Sequence, residues 1–317
     1  MTPSVQIIRD SNLFAGEGRP VFCTIGMFDG LHLGHQFVVN KTVERARKEH
    51  GVALSISFEQ HPALIVAPER APRMIYPLYK RQELLEASGM DCLWLISFDV
   101  EFSRITGPEF LARVLEDFKP VRQITVGNDF HFGFQRTGNK ALLQREAIRG
   151  NFDVPTVTPV AHQENEVSST VIRQLIQTGA ITDASARLGR SYAICGPVVK
   201  GRQLGRQLGF PTANIDTDGL VLPPNGVYAV HVTAEGNQHD GVMNIGLRPT
   251  HEKATPHPTV EVHLFDFKQD LYDTRIEVKP LLRLRDERKF DSLDELRKQI
   301  TLDCERARDY FASMTQS

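Results

Sequence analysis

The sequence has no apolar run of eighteen residues, so no membrane-spanning helix is expected. No charged stretch at the N-terminus leads into an apolar one, and no signal peptide is expected. Charge of either sign is not in excess. The net charge of −2 speaks against a general nucleic-acid or membrane surface, so an anionic ligand must be held by local sites. Cysteines are few, and Cys23, Cys92, Cys195 and Cys304 stand far apart without metal-ligand spacing. The first three sit in apolar runs and read as buried free thiols, which suits a reducing cytoplasm. Internal repeats and low-complexity segments are lacking too, which leaves an ordinary globular chain. At 317 residues it has the length for two domains, each able to bury a core without staples.

The first half alternates strand and helix. Val21–Ile25, Val52–Phe58, Cys92–Phe98, Arg122–Val126 and residues 154–158 read as strands. Residues 34–50, Arg81–Ser88, the stretch from the capping box Thr106-Gly-Pro-Glu109 to Phe118, and residues 139–149 read as helices. The alternation predicts a parallel, doubly wound α/β sheet, with ligands beyond the carboxyl ends of its strands. Short helices are expected over Ser168–Gln177 and Thr182–Leu188. The pattern then changes to short strands at 192–199, 227–234, 240–245, 259–265 and 276–284, which predict a small antiparallel β-barrel. A last helix opens at Ser292-Leu-Asp-Glu295 and packs on the barrel. The boundary is expected near 184–190, giving domains 1–186 and 187–317.

Two blocks have phosphate-handling character. The first is Gly26-Met-Phe-Asp-Gly-Leu-His-Leu-Gly-His-Gln36. It follows a strand and opens a helix, whose N-terminal N–H groups and dipole favour phosphate. Glycines there let backbone approach a ligand closely. His32 and His35, three residues apart, share a face of a helical start and can hydrogen-bond to phosphoryl oxygens as charge builds. A loop with incidental histidines is the plain alternative, and zinc lacks a third ligand at a standard spacing. Gly133-Phe-Gln-Arg-Thr-Gly-Asn-Lys140 has glycines like a P-loop, but Asn139 occupies the lysine position and rules that reading out.

The second block is Gly205-Arg-Gln-Leu-Gly-Phe-Pro-Thr-Ala-Asn214, preceded by Gly201. Glycines with cationic side chains suit a nucleotide tail. On an extended chain the Thr212 hydroxyl and the Asn214 amide point the same way, and oxygen ligands with substrate phosphates are the usual magnesium arrangement. Glu261 sits between Val260 and Val262 and faces opposite to them, either to solvent or into a barrel mouth.

The first block resembles the nucleotidyltransferases with an H-x-G-H motif, and specifically the adenylyltransferase half of bacterial bifunctional riboflavin kinase/FAD synthetases. Ser57-Phe-Glu-Gln-His-Pro62, Gly127-Asn-Asp-Phe-His-Phe-Gly133 with Arg136 and Gly138, and Ser168-Ser-Thr-Val-Ile-Arg173 are similar to that family's further blocks, in order. The second block resembles its riboflavin kinase signature. Asn225-Gly-Val-Tyr-Ala-Val230, Asn244-Ile-Gly-Leu-Arg-Pro-Thr250, Thr259–Phe267 and Arg285–Asp291 follow in family order. Gln60 and Met27 depart from the pattern, and shifts in flavin affinity are expected from them.

The resemblance implies a Rossmann-like first domain and a riboflavin kinase barrel with a terminal helix. It implies that Gly26, Phe28, Asp29, His32, Gly34, His35, Ser168, Ser169, Thr170 and Arg173 bind ATP for adenylyl transfer. Among these, His32, His35 and Arg173 would be catalytic, with Phe58, His61, Pro62 and Asp129 on the flavin side. In the kinase it implies Gly205, Arg206, Gly209, Pro211, Thr212 and Asn214 on ATP, with Thr212 and Asn214 holding Mg²⁺. Glu261 would be the general base, with Arg285, Glu287 and Phe290 on the flavin side. The expected activity is phosphorylation of riboflavin to FMN by ATP, then adenylylation of FMN to FAD. No nucleic acid, membrane or obligate protein partner is expected. Rival expectations are a chain with one active domain and a flavin-sensing regulator.

Overall fold

The computed structural model describes residues 5–156, 161–162, 165–201, 203–248 and 257–315. Arg202, Pro249, Thr250 and residues 157–158 of the expected fifth strand lie outside the described residues. Contacts group the chain into two compact units. One is Met1–Ile172 with Arg187–Gly189, and the other is Arg173–Ala186 with Arg190–Ser317.

The first unit is built on five strands: β1 (Gln6–Ile8), β2 (Val21–Ile25), β3 (Val52–Phe58), β4 (Cys92–Ile96) and β5 (Val121–Thr125). Their order is β1-β4-β3-β2-β5, with every neighbouring pair parallel. The central strands are mostly apolar and buried on both faces, as in a covered parallel sheet, with only the small Thr24, Ser55 and Ser57 as polar exceptions. Val21, Cys23 and Ile25 pack on one face with Trp94, Phe110 and Phe118. Phe22 turns to the other face, with Val39, Leu93 and Leu95. Helices α1 (Leu33–Lys48), α2 (Ala63–Val66), α3 (Leu78–Ala87) and α4 (Gly107–Asp117) fall between the strands. Both hydrogen bonds of the expected capping box form at Thr106 and Glu109.

Two features of this unit differ from the sequence reading. The edge strand β1 has three residues, too few to show a period. Residues 154–156 belong to no strand, and only a parallel bridge from Gln123 to Asp153 stands near them. After β5 come the hairpin β6 (His131–Phe132) and β7 (Gly138–Asn139), α5 (Lys140–Gly150), and the short pair β8 (Ala161–His162) and β9 (Asn165–Glu166). Helices α6 (Ser169–Thr178) and α7 (Ile181–Leu188) follow as expected.

The second unit is a closed antiparallel barrel of six strands, ordered β10-β11-β14-β13-β12-β15 and closed by β15 on β10. The strands are β10 (Ile194–Val199), β11 (Ala213–Ile215), β12 (Gly226–Ala234), β13 (Asn237–Arg248), β14 (His257–Leu264) and β15 (Arg275–Arg285). The sequence predicts five of these. The sixth, β11, holds only three residues inside the Pro-Thr-Ala-Asn segment, and the turn before it forms the one-turn helix α8 (Leu204–Leu208). Met243, Ile245, Val260 and Val262 alternate with polar neighbours and are buried. On the opposite face, Val227, Ala229 and Val242 meet Cys304, Ala307 and Phe311 of α9 (Leu293–Thr315), so the terminal helix packs on the barrel.

Candidate functional site

The carboxyl ends of β2, β3 and β5 open onto a cavity of about 590 Å³. Gly26, Phe28, His32, Gly34, His35, Phe58, His61, Pro62, Asp129 and Ser168 line it, together with Met27, His131 and Arg136. His32 is the N-cap of α1, and its Nδ1 accepts the His35 N–H at 3.3 Å. Nδ1 is therefore unprotonated, and the imidazole proton sits on Nε2 as a donor. The His32 and His35 rings stack, with centroids 3.7 Å apart, and the edge of the pair meets Phe28 at 5.4 Å. Gly34 permits the stacking: a Cβ there would come within 3.2 Å of the His32 ring.

The end of the α/β segment returns to this loop. The Ser169 hydroxyl donates to the Asp29 carbonyl at 2.9 Å, and Ser168 lies in the cavity wall. Thr170 is exposed on α6, and Arg173 lies one turn further along that helix, in the stretch grouped with the second unit. His61, also in the wall, accepts the Ala63 N–H at the start of α2 on its Nδ1 at 3.1 Å. Asp29 is not in the wall. It is buried, and its carboxylate accepts the N–H groups of Ile75 and Tyr76 at 3.0 to 3.3 Å. Its position fastens the loop from behind.

In the barrel unit a cavity of about 240 Å³ lies between the barrel wall and α9. Gly205, Thr212, Asn244, Glu261, Arg285, Glu287 and Phe290 line it with the apolar Phe210, Val227, Val242 and Ile300. A second cavity of about 360 Å³ is walled by Arg206, Pro211, Thr212, Lys268 and Tyr272. Thr212 stands in both walls. Asn214 lies in register with Glu261, and Glu261 with Asn244, across three adjacent strands. Paired residues leave a sheet on the same side, so these three side chains form one polar row. Gly201 comes against the Asn214 amide so closely that a Cβ would clash with it. Gly209, with φ of 90°, ends α8 in a left-handed turn that returns the chain into Pro211 and Thr212.

The Arg285–Phe290 segment is tied to α9. Arg285 forks onto the Asp303 carboxylate, at 3.0 Å from Nε and 2.8 Å from Nη2. Gln299 donates to Asp303 at 2.8 Å and accepts from Arg288 at 2.5 Å. Arg285 and Arg288 both lie over the Phe290 ring. Sequence reasoning passed over Asn244, Gln299 and Asp303. Asn244 opens the Asn244–Thr250 block and strand register identifies it, whereas Gln299 and Asp303 read as ordinary polar positions of an amphipathic helix. Arg206, Pro211, Thr212, Asn214, Glu261, Arg285, Glu287 and Phe290 come together in the barrel unit. His32, His35, Ser168, His61 and Asp129 come together in the other.

Among the described residues no helix is long and apolar enough to cross a membrane. The family model for FAD synthetase matches residues 16–171, and the model for riboflavin kinase matches residues 188–311. The bifunctional riboflavin kinase/FMN adenylyltransferase of Escherichia coli K12 is 37% identical over 301 residues, 95% of this chain and 96% of that protein. The protein of the same name from Bacillus subtilis is 32% identical, over 98% of this chain and 99% of its own length. A solved structure titled macrolide-efflux protein, from Streptococcus pneumoniae, is 30% identical with a TM-score of 0.80 and covers 96% of this chain and 99% of that one. With motifs, fold and both halves in agreement, this chain belongs to the bifunctional riboflavin kinase/FMN adenylyltransferase family.

Proposed function

We infer that the two units run consecutive reactions. The barrel phosphorylates riboflavin with ATP to give FMN, and the α/β unit adenylylates FMN with ATP to give FAD and pyrophosphate. The observation that carries this reading is the division of chemistry. A stacked histidine pair sits at a helix start in one unit, and a Asn214–Glu261–Asn244 row lies beside Thr212 in the other. Domains 1–186 and 187–317 are the proposed functional halves.

In the barrel, riboflavin occupies the smaller cavity, with its ring near Phe290 and Val227 and its ribityl end toward Glu261. ATP occupies the larger cavity, and Thr212 stands where the two substrates meet. Glu261 takes the proton of the 5′-hydroxyl as its oxygen forms the bond to the γ-phosphorus and ADP leaves. The Thr212 hydroxyl and Asn214 amide are hard oxygen donors and few in number, which fits Mg²⁺ shared with phosphates. Thr212 and Asn214 would hold Mg²⁺, which would supply charge neutralisation for the phosphates. Arg206, in the wall of the larger cavity, faces the phosphate tail.

In the α/β unit the phosphate of FMN attacks the α-phosphorus of ATP, and pyrophosphate leaves. His32 Nε2–H and His35 donate to phosphoryl oxygens as charge accumulates, helped by the N-terminal end of α1. Gly26, Phe28, Gly34, Ser168, Ser169, Thr170 and Arg173 belong to the ATP side, and Phe58, His61, Pro62 and Asp129 to the flavin side. Asp29 acts by holding the loop. The four buried free cysteines suit a cytoplasmic location.

Incubation with riboflavin, ATP and Mg²⁺, followed by chromatography of the flavins, tests the reading. FMN followed by FAD is expected. FMN accumulating without FAD would remove the second reaction, and no product at all would favour a flavin sensor.

A further inference from the structure

The walls of the larger α/β cavity come from segments distant in sequence. Met27 follows β2, and Phe58 ends β3. Arg81, on α3, stands behind both and is 3% exposed. Its Nη1 donates to the Met27 carbonyl at 3.0 Å and to the Phe58 carbonyl at 3.2 Å. Its Nη2 donates to the Phe58 carbonyl at 3.2 Å and to the Glu59 carbonyl at 2.9 Å. One guanidinium therefore holds three carbonyls from two walls.

These acceptors are neutral, so the arrangement demands geometry more than charge pairing. A planar fork with donors on separate nitrogens can span carbonyls on two segments, which a point-like ammonium cannot. Burial pushes Arg81 down to about 10, and the nearby Asp29 carboxylate opposes the shift. The group thus stays charged at neutral pH. Asp29 in turn accepts the N–H groups of Ile75 and Tyr76, just before α3. The loop, the end of β3 and the start of α3 are closed into one braced unit.

We propose that Arg81 is a positioning residue for adenylyl transfer: it sets the spacing between the Met27 wall and the Phe58–Glu59 wall, and with it the approach of the flavin phosphate to the nucleotide. This rests on reading the cavity as the adenylyl-transfer site. Misplacement of reacting groups by about 1 Å can cost on the order of 100-fold, so the loss should be kinetic as well as structural.

The test uses the full chain and compares Arg81→Met and Arg81→Lys with the wild type in FAD formation from FMN and ATP. For Arg81→Met the KM values for FMN and ATP should rise together, with kcat/KM falling roughly 10- to 100-fold. Arg81→Lys, which keeps a charge beside Asp29, should recover part of the loss. Riboflavin phosphorylation by the same preparations should stay at the wild-type rate. Unchanged kcat and KM values in folded Arg81→Met overturn the inference, even if its thermal midpoint drops. A rise in one KM alone also overturns it, because a brace across both walls predicts coupled losses. If Arg81→Met does not fold, Arg81→Lys decides alone by the same criterion. A wild-type chain that makes no FAD overturns the adenylylation reading and this inference together. FAD formation by the wild type with unaffected variants overturns only this inference.

Discussion

Asn214 and Glu261 are register partners on adjacent antiparallel strands of the barrel. Side chains so paired leave the sheet on one side with Cβ atoms about 5 Å apart. A proposed metal ligand and the proposed base are thereby set on one rigid backbone ladder, next to Asn244 on the other side of Glu261. Such a ladder holds its spacing better than two loops could.

Removing the carboxylate tests that placement. Glu261→Gln should lower riboflavin phosphorylation by about 100- to 10,000-fold, the range for loss of a general base. FAD formation from supplied FMN should remain. A variant that loses both activities while folded would contradict the separation of the two sites.

His32→Ala should produce the opposite pattern. Loss of one donor to the developing charge costs about 100- to 1,000-fold. FMN should accumulate from riboflavin while FAD formation falls. The same chromatographic assay, run with ³²P-labelled ATP, reads both steps in one reaction.

Asp303 is 2% exposed and takes the Arg285 fork. Asp303→Ala leaves that guanidinium in a largely buried position without its carboxylate, a change that costs about 3 to 5 kcal/mol. Chemical denaturation should show the loss, and the KM for riboflavin should rise because the Arg285–Phe290 segment loses its tie to α9. An unchanged denaturation midpoint would sink this account.

Alkaline stability should depend on the core thiols. Burial raises Cys92 from 9.0 to about 12 and pushes Cys23 up as well. In the unfolded chain these thiols ionise near 9, while in the folded sheet they stay protonated. Their contribution is therefore complete below pH 9 and is lost as the pH rises from 9 toward 12, at up to about 1.4 kcal/mol per pH unit for each thiol. Denaturation midpoints of wild type and Cys92→Ala, followed from pH 8 to 11, should show a shallower decline in the variant.

The sequence by itself determined the architecture, because hydrophobic period and length are local properties. Cys92–Ile96 is apolar throughout and Val21–Ile25 is apolar but for Thr24, and both are short runs that read as buried strands. Gly26–Gln36 carried its own strand end, glycines and helix start. What it could not determine were features made by distant partners. β11 has three residues and becomes a strand only because β10 and β14 supply its hydrogen bonds. Asp29 reads as a phosphate-loop residue, yet its carboxylate turns to the Ile75 and Tyr76 amides. Arg81 looks like any arginine of a surface helix, and its acceptors are backbone carbonyls, which leave no mark on composition or motif. Asp303, on α9, likewise acquires its meaning from Arg285, delivered by strand β15. The motif blocks named the two reactions through their resemblance to a family, and tertiary packing decided which side chains line the cavities and which hold the walls in place.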